Sequence, residues 1–255
     1  MSDAVVFEAR PDGIAIITLN RPQRRNCLAR DVREGLFDAW DRFERDPALR
    51  VAILTGAGSK AFCAGGDLEE MVATGMAVPP RDMYPLPYDT LELSKPTIAA
   101  VNGAAFAGGW MIAQACDLCV ASTTATFAVT EVKVGRSSPW AAPLIHMIPQ
   151  RVMMEILLTG KPIDARRAYE IGLVNRLAEP DDLMDTALGL AAEILAGAPL
   201  SVQAARETVM LATEMGRSAA LQAARHASVR CYTSEDAQEG PRAFAEKRNP
   251  RWTGR

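Results

Sequence analysis

Three short runs, Val51-Ala52-Ile53-Leu54-Thr55, Thr97-Ile98-Ala99-Ala100-Val101 and Leu118-Cys119-Val120-Ala121, are apolar without alternation. The first of them reads as a buried strand. The first run ends in Gly56-Ala57-Gly58, and the succession of strand, loop and short helix recurs at the second and third. That recurrence predicts a layered α/β core. In front of it, Val5–Ala9 and Ile14–Leu19 flank Pro11-Asp12-Gly13 and read as a hairpin. Asp31 is expected to cap an amphipathic helix with Val32, Leu36, Ala39, Trp40 and Phe43 on its buried side.

Residues 75–90 are rich in Pro, Met and Tyr and lack a period. Two readings stand for this stretch: a plain loop, or a mobile segment covering a pocket. From Pro139 onward the pattern turns helical, with start or stop signals at Pro149, Asp164, Gly172, Asp181 and Pro199. Only Gly172–Leu177 reads as a further β run. The expected organisation is a catalytic α/β core over 1–197 and a helical region over 198–255 that packs on its own core or on another subunit.

With 255 residues, 49% of them hydrophobic, the chain can bury a sizeable core. Its net charge of -3 speaks against nucleic acid as the main partner. No stretch approaches the ~20 apolar residues of a membrane helix, and Met1-Ser2-Asp3-Ala4 lacks the basic-then-apolar order of a signal peptide. A cytoplasmic protein without a membrane partner is the expectation. The five cysteines are scattered and odd in number, so Cys116-x-x-Cys119 reads as core packing, not a redox or metal pair. With His146 and His226 as the two histidines, no metal site is expected.

The chemistry gathers in three segments: Lys60–Leu68 with Gly65-Gly66, Asn102–Gly109 with Gly108-Gly109, and Phe127–Gly135 with Glu131. Each of the first two ends a strand with glycines and opens a helix. A glycine turn at a helix N-terminus offers free backbone N–H groups to an oxyanion. Two such turns facing one another present two converging donors, and a nearby carboxylate can move protons while the oxyanion exists. Glu131 is the carboxylate placed to do so, and burial would raise its pKa toward neutrality. One helical turn after Gly108 stands Met111, which cannot ionise.

In order along the chain come Asn20-Arg21-Pro22 through Asn26, Ala61–Leu68, Lys95-Pro96 through Asn102-Gly103, Cys116-Asp117, Gly172-Leu173-Val174, and Ser234-Glu235-Asp236 to Lys247-Arg248. Each is weak alone; as an ordered set the sequence resembles the crotonase family, also called the enoyl-CoA hydratase/isomerase family, over nearly its whole length. The resemblance implies a spiral of ββα turns with a helical C-terminal region, assembled as homotrimers or hexamers. It implies an oxyanion hole formed by the Gly66 and Gly108 N–H groups around the carbonyl of a coenzyme A thioester. No separate cofactor is expected, because coenzyme A enters as part of the substrate. Ala64, Asp67 and Leu68 would line the coenzyme, Arg24 and Arg25 would lie near its phosphates or adenine, and Phe244 and Lys247 would reach it, often from a neighbouring subunit.

The family's hydratases usually carry two glutamates; here Met111 stands at the first position and Glu131 at the second. Two carboxylates hold and polarise a water more readily than one. The resemblance therefore implies an isomerase- or lyase-like enzyme with Glu131 as sole acid/base. A hydratase working with one glutamate and a non-catalytic acyl-CoA binder are the alternatives. Trp140, in a loop where the family has small residues, would narrow the acyl pocket together with Met111, or serve as core filler. Two roles are open to Arg136: pairing with a substrate carboxylate, or a surface ion pair.

Overall fold

The computed structural model describes residues 4–75 and 78–255; residues 76 and 77, within the expected loop, and the first three residues lie outside it. β1 (Val5–Ala9) and β2 (Ile14–Leu19) pair antiparallel. α1 (Arg30–Arg45) begins one residue ahead of Asp31, with Ala29 at its N-cap and no side-chain cap. Asp31 lies within the first turn, where a carboxylate still faces the positive end of the helix, and accepts a hydrogen bond from Arg21 at 3.0 Å. The expected apolar side of α1 is buried, from Val32 through Phe43.

From there the chain winds in three similar turns. β3 (Val51–Gly56) leads to β4 (Ala61–Cys63) and α2 (Leu68–Thr74). β5 (Thr97–Val101) leads to β6 (Ala104–Phe106) and α3 (Gly108–Gln114), and β7 (Leu118–Ser122) to β8 (Thr126–Ala128) and a 3₁₀ turn at Glu131–Val134. A longer 3₁₀ stretch, Pro139–His146, precedes α4 (Gln150–Thr159), β9 (Ile163–Asp164), α5 (Ala165–Glu170), β10 (Arg176–Ala178) and α6 (Leu183–Leu195). The chain closes with α7 (Pro199–Glu214), α8 (Arg217–Tyr232) and α9 (Asp236–Ala245).

The first strand of each turn joins a six-stranded sheet of order β1-β2-β3-β5-β7-β10, and the second joins a four-stranded sheet of order β4-β6-β8-β9. This is the layered α/β core expected from the recurring strand-loop-helix pattern, in the mixed α/β spiral of ββα turns that the family resemblance implies. Alternate residues of the central strands feed two cores. Leu54, Ala99, Val101 and Ala121 pack with Phe62, Phe127 and Trp110 between the sheets. Ile53, Ile98, Ala100 and Val120 pack against Leu183, Ala187, Leu190 and Ala191 of α6. Each such large aliphatic side chain contributes about 1.5–3 kcal/mol when fully buried, which is why these strands carry no polar face.

Polar ties hold the turns of the spiral to one another. Asn26 Nδ2 donates to the Ala57 and Ala61 carbonyls at 3.0 and 2.9 Å, and Asn102 Nδ2 to those of Gly56 and Gly58 at 2.8 and 2.6 Å. Buried Lys95 satisfies the Phe43 and Asp46 carbonyls at the end of α1, at 2.8 and 2.7 Å. The run at Gly172 is not a strand throughout: Gly172 (φ 89°) and Leu173 close α5 by donating to Tyr169 and Ala168, and β10 begins at Arg176. A left-handed glycine after the last helical turn outweighs the β propensity of the Leu-Val pair that follows.

α7 and α8 form a helix pair, and α7 is fastened to the core by Arg206, whose Nε donates to both oxygens of Asp117 at 2.9 and 3.0 Å. The C-terminal tail folds back on α9, where Asp236 accepts from the Thr253 and Gly254 N–H groups at 2.7 and 2.9 Å. Among the described residues no single helix is long and apolar enough to cross a membrane. One pair, Pro180–Leu195 with Pro199–Glu214, passes that test together but is bent by 106°.

Candidate active site

The two glycine turns meet. Gly65 has φ +97°, and a Cβ placed on it would lie 2.9 Å from the Phe106 carbonyl oxygen and 3.3 Å from the Gly108 nitrogen. A Cβ on Gly108 would lie 3.6 Å from the Gly66 nitrogen and 3.0 Å from Leu28. Only residues without side chains let the two backbones approach this closely. The Gly66 and Gly108 N–H groups make no hydrogen bond within the described residues. Both are available to a ligand oxygen, and Gly108 stands at the first position of α3, where N–H groups lack a partner in the helix. Ala107, before it, is held at φ 50°, ψ −120°.

Glu131 arrives at the same edge through the small sheet. β6 and β8 run parallel, the Ala107 N–H donates to the Ala128 carbonyl at 2.8 Å, and Glu131 follows three residues later. One carboxylate oxygen, Oε1, accepts a hydrogen bond from the indole N–H of Trp140 at 2.9 Å. The other, Oε2, is buried and has no hydrogen-bond partner among the described residues. Burial pushes the Glu131 carboxyl above its ordinary range, while nearby backbone N–H groups and the Trp140 indole pull part of the way back. Trp140 is itself placed by α3, since Gln114 Nε2 donates to its carbonyl at 2.8 Å. Met111, on the same helix, is buried and apolar.

Beyond Met111 and Trp140 opens an apolar cavity of about 800 Å³, reaching past Leu86 and Pro143 to the Val202 and Val209 side of α7. It is large enough for an organic acyl group.

Five of the residues expected to line coenzyme A cluster at one corner. The Ala64 N–H donates to the Arg25 carbonyl at 3.0 Å, and Arg25 and Leu68 are exposed beside it. Arg24 already has partners: Nη2 contacts Asp67 at 3.2 Å and Glu69 at 2.9 Å. Asp67 in turn caps α2 by accepting from the Glu69 N–H at 3.0 Å. Burial would raise the Asp67 carboxyl, but the Glu70 N–H and Arg24 hold it below its usual value. Phe244 is not brought to this corner within one chain; on α9 it is 88% exposed. Lys247 follows the same helix with φ 54°. Arg136 closes the turn after Glu131 through its N–H, which donates to the Glu131 carbonyl at 2.9 Å.

Tyr84 stands at the site without having been singled out from the sequence. Its hydroxyl lies 3.5 Å from where a Gly66 Cβ would be, and its ring faces the Arg33 guanidinium at 6.0 Å. Arg33 is fixed by Glu70 at 2.8 Å and by the Leu28 carbonyl at 2.7 Å. The clue in the sequence was the aromatic content of an aperiodic segment; no period tells which of its rings turns inward.

Comparison with known proteins gives the family and the fold. The sequence profile described as enoyl-CoA hydratase/isomerase matches residues 9–255. The (E)-benzylidenesuccinyl-CoA hydratase of Thauera aromatica is 41% identical, over 94% of this chain and 96% of its own. A carnitinyl-CoA dehydratase of Citrobacter koseri is 39% identical over the full length of both. Among solved structures, an enoyl-CoA hydratase from Mycobacterium tuberculosis H37Rv superposes with a TM-score of 0.91 at 40% identity, covering 100% of both chains. Enoyl-CoA hydratase EchA1 from Mycobacterium marinum gives 0.92, also at 40% identity and full coverage of both.

Proposed function

The chain belongs to the enoyl-CoA hydratase/isomerase family, and from that premise we propose that it is an acyl-CoA lyase in which Glu131 is the sole carboxylate and water the group lost or added. The carbonyl oxygen of the thioester accepts hydrogen bonds from the Gly66 and Gly108 N–H groups. Glu131 Oε2 takes a proton from C2, and the electron pair moves onto the thioester oxygen as an enolate. The enolate then collapses to a C2=C3 double bond while the C3–O bond breaks, and the departing oxygen takes the proton from Glu131. The carboxylate is regenerated, and the reverse sequence is hydration.

A thioester stabilises a carbanion at C2 poorly in water, so the preorganised donors carry much of the effect, each ~3 kcal/mol of barrier. The observation behind this reading is the half-bound carboxylate: Oε1 held by Trp140, Oε2 buried and without a partner among the described residues. A general base needs one oxygen fixed for orientation and one left for the proton. The relatives named a hydratase and a dehydratase support water as the group exchanged. Trp140 and Met111 would shape the acyl pocket for a specialised acyl group. Ala64, Asp67, Leu68, Arg24 and Arg25 would line coenzyme A. Phe244 and Lys247 would complete that surface from a neighbouring subunit of a homotrimer or hexamer.

Met111 favours a second reading, an isomerase in which Glu131 carries a proton from C2 to C4. Mass spectrometry on a panel of 3-hydroxyacyl-, 2-enoyl- and 3-enoyl-CoA thioesters separates the two. The lyase predicts loss or gain of water; a shift of the double bond at constant mass alone would replace it with the isomerase. Binding without any conversion across the panel would contradict both.

A further inference from the structure

A lyase with one carboxylate has a base for C2 but lacks a second polar group to steady the oxygen at C3. Around Glu131, Trp140 donates to Glu131 itself and Gln114 Nε2 donates to the Trp140 carbonyl, while Gln114 Oε1, without a partner among the described residues, can only accept. Met111 is apolar. Tyr84 supplies an O–H donor: its hydroxyl makes no hydrogen bond within the described residues and lies 3.5 Å from the Gly66 Cβ position, beside the oxyanion hole.

The side chain is held there from two sides. Thr90 Oγ1 donates to the Tyr84 carbonyl at 2.6 Å and accepts from the Leu86 N–H at 2.7 Å, which closes the segment into a turn. Under the ring lies Arg33, pinned by Glu70 and by the carbonyl of Leu28, whose own N–H donates to Gly65 at 2.8 Å. Tyr84 is thereby tied to the first glycine turn through the Arg33–Leu28 hydrogen bond.

We propose that Tyr84 is a second catalytic group of this site, its hydroxyl hydrogen bonding the oxygen at C3 as the C3–O bond breaks or forms. The proton that leaves with the water still comes from Glu131; Tyr84 donates a hydrogen bond and keeps its own proton. Burial first, with Glu70, Cys63 and Glu131 adding to it against the opposing Arg33, raises the phenol above its ordinary value and keeps it a donor at neutral pH.

The proposal rests on the lyase reading, and one experiment separates the two. Tyr84→Phe and Glu131→Gln are compared for hydration turnover and for exchange of the C2 proton of a saturated acyl-CoA thioester in deuterated water. Exchange needs the hole and Glu131 but no oxygen at C3. Tyr84→Phe is expected to lower kcat for hydration about 10²-fold while KM and C2 exchange stay within about threefold of the parent. Since the hydroxyl has no internal partner, the phenylalanine keeps the ring packing. Hydration within about twofold of the parent, or exchange falling in step with hydration, would overturn the assignment to C3. Exchange retained in Glu131→Gln would remove the lyase reading, and the role of Tyr84 with it.

Discussion

At Glu131 two opposing influences set the proton affinity. Burial favours the neutral acid, and the Trp140 indole N–H favours the carboxylate. Because the net shift is upward, the acid limb of kcat/KM is expected above the ordinary glutamate range. Removing the indole donor takes away an interaction made with the charged form, so Trp140→Phe raises the pKa and moves that limb to higher pH. The variant should lose activity at mildly acidic pH and stay within about tenfold of the parent on the alkaline plateau; an unmoved or lowered limb would refute the assignment. The position of Glu131 after the glycine turns can be read from the sequence, but its link to Trp140 cannot. The two are nine residues apart in an irregular loop, and Gln114, on a different element, supplies the placement. Arg24 and Asp67, placed near coenzyme A by the resemblance, are in the fold paired with each other, and Asp67 also caps α2.

At the scale of the element, the strand-to-helix turns concentrate the backbone's tension. Ala107 sits at φ 50°, ψ −120°, a region suited to glycine, and its Cβ lies against the space beside Gly65. Such a conformation costs about 1–3 kcal/mol, against roughly 0.5–1 kcal/mol for the entropy that glycine adds to the unfolded chain. Ala107→Gly is therefore expected to stabilise the protein by about 1 kcal/mol, read as a higher urea midpoint at unchanged m-value. A lower midpoint would show that the turn is relaxed as it stands. The sequence signals for these elements held wherever apolar period and glycine punctuation agreed, as at β3, β5 and β7. They misplaced ends where a backbone detail decides: Ala29 opens α1 in place of Asp31, and Gly172 closes α5 where a strand was expected. The asparagines of the recurring motifs, Asn26 and Asn102, proved to be ties between turns of the spiral. Their spacing announces the architecture without touching the chemistry.

Over the whole molecule, strands buried on both faces demand two covering layers, supplied by the second sheet and by α6. The apolar runs make a layered α/β core legible, while the spiral arrangement is implied only by the resemblance to the family. The surface presented by α7–α9 is less legible, because an apolar residue there serves either its own core or another subunit. Phe244, 88% exposed, Tyr232, 80% exposed, and Val209, 63% exposed, have no such cover within the single chain. This fits the proposed contribution of Phe244 to a neighbouring coenzyme A site. The proposed chemistry needs one carboxylate acting together with two converging amides, and proton exchange at C2 of a bound acyl-CoA thioester reports on that combination alone. In deuterated water the parent protein should exchange that proton, and Glu131→Gln should slow exchange by about 10³-fold while binding the thioester within about threefold. Exchange at the parent rate in Glu131→Gln would contradict the account.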